Sequence, residues 1–424
     1  MKVLITTFLF LYSVSIFGQR DSISTIHNFR ITPEILLGAT GESNSNFPDR
    51  DLQKQFIINL SWDHSKSDDE WSQRLKSMTT GISIGYTDFG NTKHLGQAIS
   101  VLPFIEFNAF RTKNLRVQIG TGMSYFNKKY DSIHNPNNKA VSTDLSWSFK
   151  LQMHYNILET KTINYHVGAG YFHHSNGHSR LPNQGYNSLL FGVSAEIMRP
   201  TKSIKAPPKQ AKPDLQKSKY NYFAIRTGYG SNTLSRAFND KKSIYSFSGE
   251  YGWVLNNTYK IGLGFYYRFY QHYYDYIVDN ESLVQDGREF EQFKTNPGWN
   301  ATNLGLTLSG ELLLNHFGLD LQLGFNIHKP GYKIDWRINQ GWEYVPQVIP
   351  EESNIVLGEF NTYYKIKHLI STRFCLKYYL ISTKKRPKSN FYLGASINAN
   401  LGQADFTELN IGYVHNLFSI KEPN

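Results

Sequence analysis

Cysteine is almost missing from this chain. Cys375 stands alone among 424 residues, so no internal disulfide can staple the fold. Its scarcity does not argue against export, because a large barrel needs no staples. Long apolar runs are scarce too. The run Val3 to Phe17 is short for a membrane-spanning helix, which needs roughly 20 residues. A mean hydropathy of −0.45 excludes a helical bundle in lipid. It leaves room for a barrel, whose strands alternate lipid-facing with lumen-facing side chains and so average low. Helical periodicity is scarce throughout. Acidic residues are outnumbered, 34 against 45 Lys and Arg, which gives a net charge of +11 and favours anionic partners.

Aromatic residues, by contrast, are abundant. They make up 15% of the chain, mostly from 28 Tyr and 28 Phe. Such residues suit the interfacial girdles of a membrane barrel. The run Phe265-Tyr-Tyr-Arg-Phe-Tyr-Gln-His-Tyr-Tyr274 is the extreme case. A Tyr-rich soluble β-sandwich is the bland alternative. At the start, Lys2, the apolar run and the small residues Ser15 and Gly18 read as a signal peptide over residues 1–18. No cysteine sits near the cut, so a lipoprotein anchor is not expected. For an exported chain, the phosphates of lipopolysaccharide are a more natural anionic partner than nucleic acid.

Period-2 alternation dominates the rest. Leu145, Trp147, Phe149, Leu151, Met153 and Tyr155 share one face, with Ser146, Ser148, Lys150, Gln152 and His154 on the other. Leu319, Leu321, Leu323, Phe325 and Ile327 repeat the pattern against Asp320, Gln322 and Asn326. Short turns alternate with long polar loops, as in membrane barrels with their long loops outside. The segment Ser65–Lys76 is an exception, long on the short-turn side. The predicted class is all-β, an antiparallel transmembrane β-barrel.

Pro200, Pro207, Pro208 and Pro213 interrupt this pattern among five lysines. We read residues 201–218 as a semi-extended linker between a barrel over 19–200 and a second half over 219–424. About eight strands fall on each side, which fits two tandem eight-stranded barrels. One barrel of about sixteen strands is the alternative.

One segment carries candidate chemistry: Tyr171-Phe-His-His-Ser-Asn-Gly-His-Ser-Arg-Leu-Pro-Asn-Gln-Gly-Tyr-Asn187. Ile163, Tyr165, Val167, Ala169 and Tyr171 form a lipid-facing row. The same parity places His173 and Ser175 outward and His174 in the lumen. Leu189, Phe191 and Val193 put Asn187 outward on the next strand. Polar groups on the lipid side are costly unless they are used or sit among headgroups. A serine needs a base to become a nucleophile, and a third group to fix the imidazole tautomer. His173, Ser175 and Asn187 supply these three positions. Asn176 and the Gly177 backbone are candidates for stabilising an oxyanion. Alternatively, these are ordinary residues that end a strand.

The pattern His173-x-Ser175-Asn176, then Pro182-Asn183-x-Gly185, resembles the signature of the outer-membrane lipid A 3-O-deacylases, acyloxyacyl hydrolase-like barrels. The likeness covers roughly residues 19–200. It implies an eight-stranded barrel with a lipid-facing Ser-His-Glu triad. In it His173 is the base, Ser175 the nucleophile, Asn176 an oxyanion contributor and Asn183 a position near the site. One departure stands out. Asn187 occupies the position of the triad Glu, and an amide cannot neutralise an imidazolium. Either a Ser-His-Asn triad works with reduced driving force or activity is lost, and we expect activity. Glu196 has lumen parity and is a poor substitute.

Elsewhere the signals are weaker. Ile327-His328-Lys329-Pro330 lacks a serine and gives His328 lumen parity, so the second half is expected to be non-catalytic. Ser67-Asp-Asp-Glu70 reads as a solvated turn rather than a metal site. So does Lys384-Lys-Arg-Pro-Lys388, with contact to anionic headgroups as a further option. His173, His174 and His178 are the candidate metal cluster, and the opposite parity of the first two argues against it. No cofactor is called for. The expectation is a serine esterase of the Gram-negative outer membrane that removes an ester-linked acyl chain from lipid A. A non-enzymatic barrel that binds lipopolysaccharide or supports the envelope is the alternative.

Overall fold

The computed structural model describes residues 29–44, 46–65, 67–75, 78–110, 114–198, 215, 217–340 and 361–418. The signal-peptide reading of 1–18 lies outside them, as does nearly all of the linker reading of 201–218. Eight antiparallel strands form the first unit. They are β1 (Phe29–Thr40), β2 (Gln53–Asp63), β3 (Thr79–Asp88), β4 (Gln97–Asn108), β5 (Leu115–Phe126), β6 (Leu145–Glu159), β7 (Ile163–Ser175) and β8 (Tyr186–Met198). β8 returns to pair with β1, from Arg30↔Met198 to Thr40↔Ser188, so the sheet closes. Eight more strands close a second barrel: β9 (Lys219–Asn232), β10 (Lys242–Leu255), β11 (Tyr259–Tyr270), β12 (Thr302–Leu314), β13 (Phe317–His328), β14 (Ile370–Tyr379), β15 (Ser389–Asn400) and β16 (Gln403–Leu417). β16 pairs with β9. The two closures rule out a single sixteen-stranded barrel.

The alternation in the sequence becomes two surfaces. Leu189, Phe191 and Val193 face outward and are more than half exposed, as lipid-facing side chains must be in a transmembrane barrel. The inward rows are polar and packed, because eight strands leave a lumen that side chains fill. In the first barrel, Lys150 Nζ donates to Ser83 Oγ (2.7 Å) and Asn59 Oδ1 (3.2 Å). Arg116 pairs with Glu106 (2.9 Å) and Glu196 (2.6 Å). In the second, Lys377 and Lys260 share Glu311 (2.8 and 3.1 Å), and Arg373 pairs with Asp320 (2.8 Å). Removing one member of such a buried pair costs ~3–5 kcal/mol, because its partner is left charged and unpaired.

The first barrel carries one helix, α1 (Glu70–Arg74), on its short-turn side; at its long-loop end the second carries α2 (Gln271–Val278), α3 (Pro297–Asn300), α4 (Tyr332–Gln340) and α5 (Asn361–Leu369). Tyr273, Tyr276, Ile277, Phe290, Phe293 and Ile334 pack with Leu234, Ile244 and Phe406 from the barrel into an apolar cap. Each such side chain contributes roughly 1.5–3 kcal/mol when fully buried.

The long segment on the short-turn side has a structural reason. It folds α1, whose Trp71 packs with Met78 against Leu314 of the second barrel. Lys384–Lys388 is an exposed turn, as expected, and Ser67–Glu70 is a half-buried one, but the two are joined to each other. Asp69 accepts from Lys384 Nζ (2.7 Å) and Asn315 Nδ2 (3.0 Å), while Glu70 accepts from Asn257 Nδ2 (2.7 Å). Arg386 lies 3.5 Å from Glu70. Opposite charges from two barrels join where the sequence showed two unrelated polar turns.

Candidate active site on the lipid-facing wall

β6, β7 and β8 build the site as three neighbouring strands. The register sets His173 opposite Asn187 on β8 and Phe149 on β6, and sets Ser175 opposite Trp147. His173 and Ser175 are two residues apart on one strand, so both project from the same face, about 6.6–6.8 Å apart along the backbone. The outward assignment of all three candidates therefore matches the structure. His174 points into the lumen, where its Nδ1 meets Ser148 Oγ at 2.7 Å and its ring meets Phe89 and Phe126 edge-on. Glu196 is also in the lumen, tied to Arg30 (3.1 Å) and Arg116.

His173 Nδ1 lies 2.8 Å from Asn187 Oδ1. A carbonyl oxygen only accepts, so this bond places the proton on Nδ1 and leaves Nε2 with a lone pair. Tyr171 Oη donates to the same Asn187 oxygen at 2.7 Å. That second bond fixes which end of the amide faces the histidine. Sequence reasoning passed over Tyr171, although it stands on the same outward row two residues before His173.

Ser175 is bonded differently. It donates to Asn183 Oδ1 (3.3 Å) and accepts from Asn183 Nδ2 (2.9 Å). No hydrogen bond joins it to His173. Asn183 Oδ1 also accepts from the Asn176 backbone N–H (2.8 Å), and Gly177 N–H lies 3.4 Å from Ser175 Oγ. The Asn176 side chain is committed elsewhere, donating to Arg180 O (2.7 Å) and Ser142 Oγ (3.1 Å). Its amide is a brace for the loop. The donors to Ser175 Oγ are Asn183 Nδ2 and the Gly177 backbone N–H.

Two glycines shape this loop. Gly177 has φ +65° and Gly185 has φ +78°, conformations that side chains rarely adopt. A Cβ on Gly185 would stand 2.8 Å from His173 Cε1, so the bare glycine leaves room for the imidazole. A Cβ on Gly177 would collide with Thr407 Oγ1 of the second barrel. Ser175 and Asn176 are consequently buried, 5% and 3% exposed, although they stand on an outer wall. Trp147 Nε1 donates to Thr407 Oγ1 at 3.0 Å. Nothing in the local sequence signals a neighbour 260 residues away.

Histidine 178 takes a φ of +66° and offers its carbonyl to Thr233 N (3.1 Å). Among the described residues, no group of three or more His, Cys, Asp or Glu side chains gathers where a metal ion would sit.

Comparison with known proteins adds two family matches. The lipid A 3-O-deacylase (PagL) model matches residues 28–196, and the acyloxyacyl hydrolase C-terminal domain model matches residues 220–340. Among solved structures, the outer membrane enzyme PagL is 19% identical, covers 40% of this chain and 99% of its own, and has a TM-score of 0.28. A de novo designed transmembrane β-barrel is 7% identical over 40% of this chain and 95% of its own, with a TM-score of 0.21. A triple mutant of the Rhodopseudomonas blastica porin is 10% identical over 92% of this chain and 99% of its own, with a TM-score of 0.17. No curated protein matches the chain.

Proposed function

We propose that this protein is a serine esterase of the Gram-negative outer membrane, a reading supported by the match of its first barrel to the lipid A 3-O-deacylase model and of its second to the acyloxyacyl hydrolase C-terminal domain model. Its substrate is lipid A, and the bond cut is the ester of the 3-O-linked acyl chain. One observation carries the reading. On the lipid-facing wall, a histidine whose Nδ1 is held by Asn187 stands two residues from a serine on the same strand face.

The steps follow from the groups present. His173 Nε2 removes the Ser175 proton as Oγ attacks the ester carbonyl. For this, Ser175 turns its O–H from Asn183 to His173. Asn183 Nδ2 and the Gly177 N–H, the donors beside Ser175 Oγ, turn to the negative oxygen that develops, while the Asn176 N–H stays on Asn183 Oδ1. Collapse breaks the bond to the sugar 3-oxygen, which takes the proton from His173 and leaves as the free 3-hydroxyl. Water then hydrolyses the acyl-serine by the same relay and releases a fatty acid. Asn187 orients the imidazole but adds no charge, so the imidazolium gains less than beside a carboxylate. Arg180, exposed in the loop after Ser175, offers a cation to the phosphates of the glycolipid.

The Ser175–Asn183 bond and the amide at Asn187 favour a second reading, a barrel that binds lipopolysaccharide without turnover. Mass spectrometry of lipid A from cells with and without the protein separates the two. We expect loss of one acyl chain with the wild type, and a fall of at least ~10³-fold with Ser175→Ala or His173→Ala. Unchanged lipid A, or full activity in either variant, sinks the esterase reading.

A further inference from the structure

We propose that the second barrel is a working part of the catalytic site: Asn239 and Thr407 are positioning residues that hold the loop around Ser175 in its competent shape. This inference rests on the esterase reading. The loop from Asn176 to Gly185 carries Asn183, which grips both Ser175 Oγ and the Asn176 N–H. Its own barrel braces the loop at two places. Ser142 Oγ and Asn176 Nδ2 hold Arg180 O (2.9 and 2.7 Å), and the N–H groups of Gln184 and Gly185 reach Lys139 O and Ala140 O. Between these braces, the second barrel takes over.

Asn239 reads the Leu181 residue from both sides. Leu181 N donates to Asn239 Oδ1 (2.8 Å), and Asn239 Nδ2 donates to Leu181 O (2.7 Å). This two-bond grip sits two residues before Asn183. His178 O accepts from both the backbone N–H and the hydroxyl of Thr233 (3.1 and 3.3 Å). Thr407 lies over Gly177 and accepts from Trp147, the residue opposite Ser175. Loop 177–181 is thus touched by three residues from two elements of the second barrel, the β9–β10 loop and β16.

Those contact points are themselves rigid. Thr407 stands on β16, where it pairs with Ser231 of β9. Leu234 is buried in the apolar cap and Phe238 packs against it, so the segment from Thr233 to Asn239 is fixed at both ends. The cap thereby has a task. It sets the position of Asn239, which sets Leu181, which sets Asn183 and the Ser175 hydroxyl. A shift of about 1 Å in a reacting group costs on the order of 10²-fold in rate.

The test uses the full chain refolded in detergent, with fold checked by heat-modifiable gel migration. Two readouts are taken: kcat and KM for lipid A, and the labelling rate of Ser175 by a fluorophosphonate, which needs no lipid A. Asn239→Ala and Thr407→Val should each lower kcat and labelling about tenfold with KM little changed, and Thr407→Ser should restore both. Asn315→Ala and Lys384→Ala loosen the opposite end of the same junction and should leave kcat at the wild-type level. If Asn239→Ala and Thr407→Val match a reactive wild type, the inference is overturned while the esterase reading stands. It is equally overturned if the opposite-end variants lower kcat as much, since mere association of the barrels then explains the effect. A wild type that neither labels nor deacylates overturns the esterase reading, and this inference with it.

Discussion

At the top of β7, the outward row Tyr171, His173, Ser175 keeps its parity to the last residue of the strand. The top of β13 starts the same way and ends differently. Leu323 and Phe325 face out, but Ile327 is skipped in the register, so His328 pairs with the outward Leu304. The lumen parity expected for His328 is therefore wrong, because a bulge adds one residue and flips every side chain beyond it. His328 stacks on Trp299 with ring centroids 4.1 Å apart and places Nε2 3.0 Å from Trp299 O. Its nitrogen is spent on a backbone carbonyl. The His173 Nδ1 bond goes to a side chain instead, itself held by a tyrosine, and Nε2 is left for chemistry. An outward histidine becomes a candidate base through what surrounds it.

The comparison is broken most severely at Gly185. Gly185→Ala adds a Cβ 2.8 Å from His173 Cε1 at a φ of +78°. We expect kcat for lipid A deacylation to fall on the order of 10²-fold, as the imidazole is pushed off its place. Normal kcat would show that the histidine position is not critical. Asn187→Glu sharpens the comparison in the other direction. A carboxylate there still accepts from His173 and Tyr171, and adds charge stabilisation of the imidazolium. A rise of roughly tenfold in kcat, about 1.4 kcal/mol, is expected. An unchanged or lower rate would show that the amide serves as well.

A smaller effect is expected at the opposite end of the junction, where charge joins the barrels. Burial raises the Asp69 carboxyl, but hydrogen bonds from Lys384 and Asn315 outweigh it and hold Asp69 below its ordinary 3.8. A lowered folded-state value means stability that is present above pH 3.8 and lost as pH falls through the lower folded value. A half-exposed pair of this kind contributes about 0.5 kcal/mol. Thermal unfolding should rank the wild type slightly above Asp69→Asn at pH 7, and the gap should close in strong acid. A gap that persists there would remove the charge argument. Smallest of all, His328→Ala should leave deacylation unchanged. A loss comparable to that of His173→Ala would show that the second barrel carries chemistry of its own.

Much of this was legible in the chain. Period-2 rows identified the class, because a strand has only two faces and lipid accepts only apolar ones, while the choice between two barrels and one waited for the closures. The same parity separated His173 from His174 and set Asn187 across the hairpin. Tyr171 was within reach of that logic, standing on the same row. Thr407, Asn239 and Thr233 were not, since no local pattern records a contact between residues 55 to 260 positions apart. Nor did the sequence reveal that α1 would turn Asp69 and Glu70 toward Lys384 and Arg386.

By itself, then, the sequence determined which side chains face lipid and which fill the lumens, and it placed a histidine, a serine and an asparagine on one outer face. These are consequences of backbone geometry that repeats every two residues. Tertiary structure alone decided that Ser175 rests on Asn183 rather than His173, that a bulge turns His328 onto Trp299, and that a second barrel covers the serine loop. Those outcomes depend on loop conformation and on how two closed surfaces meet, and neither is periodic.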